Sequence, residues 1–471
     1  MHARAERICA KQHPFSSKNA VQEVDAMNQD ILHFLRINRQ AMLRDLAGLV
    51  AIPSVSVPDP DIPPFGQPLR DALSYMASLA SREGWSYRDY DHYIGRIGCN
   101  DETKGEEIGM WSHLDVVPVP DPSAWRYPPF ELSVVEDRFL IGRGVQDNKM
   151  TAIGCLYAMK FIKELGIPLY RRYALYLGTS EETGMADVQW FTAHHTCPAL
   201  SLVPDTGFPV CYGMRGNMRL QVSIPFAHAM QIHSSNDPAV SPEKVTATLP
   251  DGTSFSASGV SCHIANAENK PNAVLNMLEL LSGRYPDDAQ KLHGLSVMTA
   301  SYDGSGLGIA CSDPESGSLQ CMPTHLFWEN GRLKVILRIV LPFHAMPDAI
   351  RTRATQFLSD RAEIAVLSSR PPVAFEKNHP VVRLLTDVYH QITGIPDEPF
   401  VMTGGNYAAW LPNAFGFGPG MPGREFPDHI FLPGHGDFHQ CDESDEIDHM
   451  FRFIEIYIHA LLALDAAEQL A

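Results

Sequence analysis

Between Ile108 and Val203 the chain alternates short apolar runs with helical ones, and nothing else in it narrows the possible folds as far. Ile108–Trp111, Tyr173–Leu177 and Leu200–Val203 read as strands, while Lys149–Leu165, closed by Gly166, and Asp187–His195 read as helices. Strand and helix in turn build an α/β layer around a largely parallel or mixed sheet. Sheets of that kind present their ligand-binding residues just past the strand ends. Acids and histidines stand at those places here.

Upstream, Leu43, Leu46, Leu49 and Val50 repeat at helical spacing before Pro53, and Leu69, Leu73, Met76 and Leu79 form a second apolar face. Past about Cys211 the texture changes to alternating strands around Met218–Ile224, Thr246–Leu249 and Leu333–Ile339, with helical runs at Asn272–Leu281 and Pro347–Leu358. This reads as an inserted α+β domain. From about Phe375 the chain returns to helix and closes on an amphipathic run, Glu446–Leu464. The expected organisation is an extension over 1–26, with Met27 an equally good start, a catalytic domain over 27–211 and 375–471, and an inserted lid over 212–374.

Composition removes several classes of function. The net charge of −18 repels phosphate backbones and anionic membrane surfaces, so nucleic acid and membrane are not expected as partners. No apolar run reaches the roughly 18 to 20 residues that span a bilayer, and the first residues carry no secretory h-region, which makes the expected compartment cytoplasmic. The nine cysteines are scattered and never spaced as CxxC, the pattern of reduced thiols. Cys262 and Cys441 flank candidate histidines, but they read as incidental.

His113 and Asp115 lie in SHLDVVP, on one face of an extended segment, where an acid can orient the imidazole while the second ring nitrogen binds a metal. Asp147, in GRGVQDNK, precedes a helix; a carboxylate there caps the helix or bridges two divalent cations. Glu181 and Glu182 open a turn in SEETG, so one can hold metal while the other takes a proton from water. Asp205 in PDTG repeats the strand-then-acid pattern. His439 in HQCDE supplies an imidazole from the far end of the chain, and is preferred to His435 for the Gln and Glu that follow it.

Taken together and in order, SHLDVVP, GRGVQDNK, SEETG, PDTG, the GGNY turn, FGPGMPG and HQCDE resemble the di-metal family of aminoacylases, carboxypeptidases and dipeptidases. The stretch LGIACSDPESGSL resembles the bacterial dipeptidase V or Xaa-His dipeptidase branch in particular. The resemblance runs from about Arg39 to Leu464. It implies a phosphorylase/hydrolase-like α/β catalytic domain with a central mixed sheet and an inserted α+β lid. It also implies two divalent metal ions, Zn²⁺ first and Mn²⁺ or Co²⁺ next, a choice that the mixed imidazole and carboxylate donors favour.

Carried over by position, His113 and Asp205 would hold one ion, Glu182 and His439 the other, and Asp147 would bridge them, followed by a cis peptide to Asn148. Asp115 would orient His113, Glu181 would be the general base, and His263 would steady the oxyanion of the reacting carbonyl. Arg338 and Asn406 would meet substrate. The implied reaction is hydrolysis of a dipeptide with a free amino terminus, in a monomer whose enlarged lid mimics a partner's, a homodimer being the alternative.

Departures from the pattern open other readings. GGNYAA stands where the branch has GGTYAR, so Ala409 replaces an Arg, which favours an aminoacylase or related amidohydrolase as the second enzyme. DNKM replaces DDKG, and Arg338 is followed by Ile339 and Val340 in place of Tyr-Pro. A non-catalytic metal- or peptide-binding relative would be expected to lack the base or a ligand, and none is missing.

Overall fold

The alternating runs become one mixed sheet. In the computed structural model, which describes residues 20–234, 240–468 and 470, Glu107–His113, Arg172–Gly178, Leu200–Val203 and Ala414–Gly416 run parallel side by side. Ile94–Gly98 and then Ser86–Tyr90 continue the sheet antiparallel beyond Arg172–Gly178, and Cys211 pairs antiparallel with Gly416 at the other side. Burial explains the composition. Ile108–His113, Tyr173–Gly178 and Leu200–Val203 are buried at every position, as expected of central strands covered on both faces.

The expected extension lies outside the described residues over 1–19, but from Ala20 the chain is already in helix, which runs unbroken to Val50. The repeat from Leu43 to Val50 marks only the last part of this helix. Ile31, Phe34, Leu35, Met42, Leu46 and Leu49 are all buried at helical spacing, so the apolar stripe starts well before Arg39. Met150–Leu165 is buried over most of its surface and stops at Gly166, whose φ of 63° closes the helix in the left-handed region. Ile447–Ala466 lies against it, with the Phe453 ring over Gly154, where a Cβ would come within 2.6 Å.

The chain divides into two units. The first comprises the residues up to Tyr212, Glu376–Phe400 and Asn406–Ala471; the second comprises Gly213–Phe375 and the short return Val401–Gly405. In the second, Gln320–Glu329, Arg332–Leu341, Gly216–Pro225 and Glu363–Arg370 form an antiparallel sheet in that order. Leu333, Val335, Leu337 and Ile339 alternate into a core shared with helices Ala273–Arg284, Ala289–Ala300 and Pro347–Leu358. Among the described residues no helix is long and apolar enough to cross a membrane.

Candidate metal centre

The parallel strands deliver their acids to one edge. His113 is the last residue of its strand, level with Gly178 on the neighbour; Asp115 follows two residues later, Glu181 and Glu182 follow Gly178, and Asp205 follows Val203. Glu107–His113 and Arg172–Gly178 run parallel, so their C-terminal ends coincide and the side chains gather.

Asp115 fixes the arrangement from beneath. It is completely buried, and its carboxylate accepts the backbone N–H of Glu181 through Oδ1 and that of Glu182 through Oδ2, both at 3.0 Å. The Glu181–Glu182 turn is thereby locked to the strand end carrying His113. The His113 Nδ1 lies 2.9 Å from the carbonyl oxygen of Asp115, which can only accept, and 3.4 Å from its carboxylate. Nδ1 therefore carries the proton and Nε2 faces the cluster. The expected orientation of His113 is thus supplied mainly by the Asp115 backbone, while its side chain holds the glutamates.

Asp147 lies between the two histidines. Its Oδ1 is 2.9 Å from His113 Nε2 and its Oδ2 is 3.1 Å from His439 Nε2, so each oxygen faces a different ring. His439 Nε2 also lies 2.9 Å from Glu182 Oε1. The bond from Asp147 to Asn148 is cis, matching the implied one. Ligand atoms of His113, Glu181 and Asp205 lie within 4.8 Å of one another, and so do those of His113, Asp147 and Glu182. His435 instead meets Asp442 at 2.6 Å.

Electrostatics ask for a cation here. Burial pushes the carboxyls of Glu181 and Asp205 well above their ordinary range, with the charge of Asp205 adding to the first and that of Asp147 to the second. Glu182 is raised too, by burial and Asp147, against the hydrogen bond from His439. Burial also opposes ionisation of Asp147, but hydrogen bonds from His113 and His439 outweigh it and hold its pKa below the usual range. For His439, burial favours the neutral ring, yet Asp147 and Glu182 lift its pKa to about 10. Crowded carboxylates that repel one another, interleaved with imidazoles whose neighbours call for positive charge, fit divalent cations with mixed nitrogen and oxygen ligands. Ligand atoms about 3 Å apart are also what bonds of roughly 2.0 to 2.2 Å to a shared ion require.

Several further residues support the cluster. Asn148 donates to the Pro204 carbonyl at 2.7 Å. Asn406, expected to meet substrate, is 2% exposed and uses its amide on the protein, donating to the Asp205 carbonyl at 2.9 Å and accepting from Ala408 N–H at 3.0 Å. Asp187, fully buried, accepts the N–H groups of Thr179 and Ser180 and the Tyr407 hydroxyl, steadying the strand end before Glu181; burial and Asp115 push its pKa up to about 6. Lys149 is fully buried with Nζ on the carbonyls of Leu49 and Ile52, and burial lowers its pKa to about 7.

His263 and Arg338 belong to the second unit. His263 pairs with Val240 in an isolated bridge and caps the turn Ile264–Asn266, its Nδ1 accepting the Ala265 N–H at 3.3 Å. Arg338 faces Arg219 across two antiparallel strands.

Residues 109–463 match peptidase family M20/M25/M40. The chain is 24% identical to the Beta-Ala-Xaa dipeptidase of Lactobacillus delbrueckii subsp. lactis, over 94% of this chain and the full length of that protein. Among solved structures, human carnosine dipeptidase 1 superposes with a TM-score of 0.62 at 14% identity, covering 93% of this chain and 99% of the other. The aminoacylhistidine dipeptidase from Vibrio alginolyticus gives 0.57 at 14% identity, covering 90% and 96%. At such identities these two likenesses speak for the fold.

Proposed function

The chain belongs to peptidase family M20/M25/M40, and on that premise we propose that it is a metal-dependent dipeptidase that hydrolyses the amide bond of dipeptides with a free amino terminus. The observation that carries the reading is Asp147 with one oxygen on each of two imidazoles, beside a glutamate pair whose backbone is pinned by Asp115.

His113 and Asp205 would hold one divalent ion, Glu182 and His439 the other, with Asp147 between them; zinc suits the donors best, ahead of manganese and cobalt. When bound, the ions supply a Lewis acid for the carbonyl and acidify the attacking water. Glu181 takes the proton from that water and returns it to the departing amine. Its buried carboxyl, raised by desolvation and by Asp205, is suited to both halves of that exchange. Asp115 keeps Glu181 and Glu182 in their separate roles. His263 retains its implied task, donation to the carbonyl oxygen. The chain is read as a monomer on the length of its inserted segment. A cytoplasmic location is supported by the free state of the described cysteines, from Cys99 to Cys441.

The test is a panel of dipeptides run beside N-acyl amino acids, with metal analysis of the same preparation. Release from dipeptides with about two equivalents of divalent metal is expected; release from N-acyl substrates alone would reject the dipeptidase in favour of the aminoacylase that Ala409 suggests. Glu181→Ala should lower kcat by about 10²- to 10⁴-fold at unchanged metal content, and full turnover would remove Glu181 as the base.

A further inference from the structure

Glu443 is no member of the ligand set, yet its carboxylate is completely buried and meets four donors. Oε1 accepts the backbone N–H of Gln146 at 2.9 Å and that of Asp147 at 3.0 Å. Oε2 accepts the N–H of Gly144 at 3.0 Å and the Arg143 guanidinium at 2.6 Å. All four donors belong to the short segment that ends on Asp147, and Glu443 itself stands four residues past His439.

The chemistry explains why a carboxylate is needed. Backbone N–H groups in a buried loop must find acceptors, and an ionised carboxylate has two oxygens that accept and nothing to donate. An amide of the same shape would turn a donor toward two of the four. Burying that charge is tolerable only with a partner, and Arg143, 3% exposed with its guanidinium over the Trp125 ring, supplies it.

We propose that Glu443 is a positioning residue for the metal centre. By fixing the backbone at Asp147, it holds that carboxylate with one oxygen toward His113 and the other toward His439, and it ties the loop carrying Asp147 to the segment carrying His439. The proposal rests on the metal-binding reading of the cluster.

The neighbouring acid supplies a control. Asp442 is equally buried, but its carboxylate accepts the N–H groups of Arg126 and Tyr127, on a loop that carries no ligand, and meets His435 within its own segment; none of these partners belongs to the loop that carries Asp147.

Cobalt(II) is the probe, added to metal-free protein and titrated against a competing chelator, with the visible absorption of the bound ion recorded. Glu443→Gln should weaken cobalt binding by about 10- to 100-fold and change the visible spectrum. Asp442→Asn should stay within about threefold of the parent while losing thermal stability. Parent protein that binds no cobalt would reject the metal-binding reading, and this proposal with it. Parent that binds while Glu443→Gln binds as tightly with the same spectrum would overturn the proposal alone, as would equal weakening in Asp442→Asn. Should Glu443→Gln fail to fold, Arg143→Lys, which keeps the cation but loses the guanidinium geometry on Oε2, is scored in the same way: weakening beyond about threefold supports the proposal, and unchanged affinity overturns it.

Discussion

At the scale of single residues, the position before the Glu181–Glu182 turn is decided by sterics. A Cβ on Gly178 would fall 1.8 Å from the Tyr407 hydroxyl oxygen and 2.7 Å from Asp187 Oδ2, so the strand leading to Glu181 can pass these groups only as glycine. Gly178→Ala should therefore cost about 1 to 3 kcal/mol or more in urea unfolding; a variant as stable as the parent would show that Tyr407 moves aside freely. The sequence displayed the candidate ligands and the candidate base but not this scaffold. His113, Glu181, Glu182 and Asp205 stand directly after apolar runs, and local pattern marks such places. Asp187 and Lys149 look like ordinary surface charge, and Glu443 shows only as a neighbour that favours His439, because what buries each is a partner far away: Gly144 for Glu443, Tyr407 for Asp187, Leu49 for Lys149. The packing of Asn406 was hidden for the same reason, its partner being a carbonyl 201 residues away.

At the scale of elements, the contact between the helices Ala20–Val50 and Ile447–Ala466 carries a titratable group. His459, on Ile447–Ala466, is 4% exposed, and its Nε2 lies 2.8 Å from Asn28 Oδ1 on Ala20–Val50. Burial lowers its pKa from 6.5 to about 4. Between those values the unfolded chain binds a proton that the folded one does not, so stability rises with pH across the window and is lost as pH falls through it. The full loss is about 3 kcal/mol. In metal-free protein, the unfolding free energy of the parent should drop by about that much more than that of His459→Gln between pH 6.5 and pH 4. Parallel curves for the two proteins would mean that the ring is protonated in place. The helix pairing itself was only half legible: the stripe from Leu43 to Val50 is regular, whereas Asn28 and His459 read as polar positions until the two helices meet.

At the scale of the whole molecule, the proposed cation site and the second core belong to different units. All the proposed ligands lie in the first unit, while the core around Leu220, Val335 and Leu337 lies in the second. A ligand that binds only the folded form stabilises what it binds, by about 2.7 kcal/mol at a hundredfold excess over Kd. For a unit of this size that shifts the melting temperature by about 4 °C. Repulsion among Glu181, Glu182 and Asp205, no longer offset by metal, pushes in the same direction. Tryptophan reports on the first unit almost alone: Trp85, Trp111, Trp125, Trp190 and Trp410 lie there, and Trp328 lies in the second. In Trp328→Phe protein the fluorescence transition should therefore fall by several degrees on chelation, while a calorimetric transition that leaves the fluorescence unchanged keeps its temperature. If chelation moves neither signal, the cluster does not bind metal in its folded form. If it moves both together, the two units unfold as one, and the stability supplied at His113 and His439 is shared by the core around Val335.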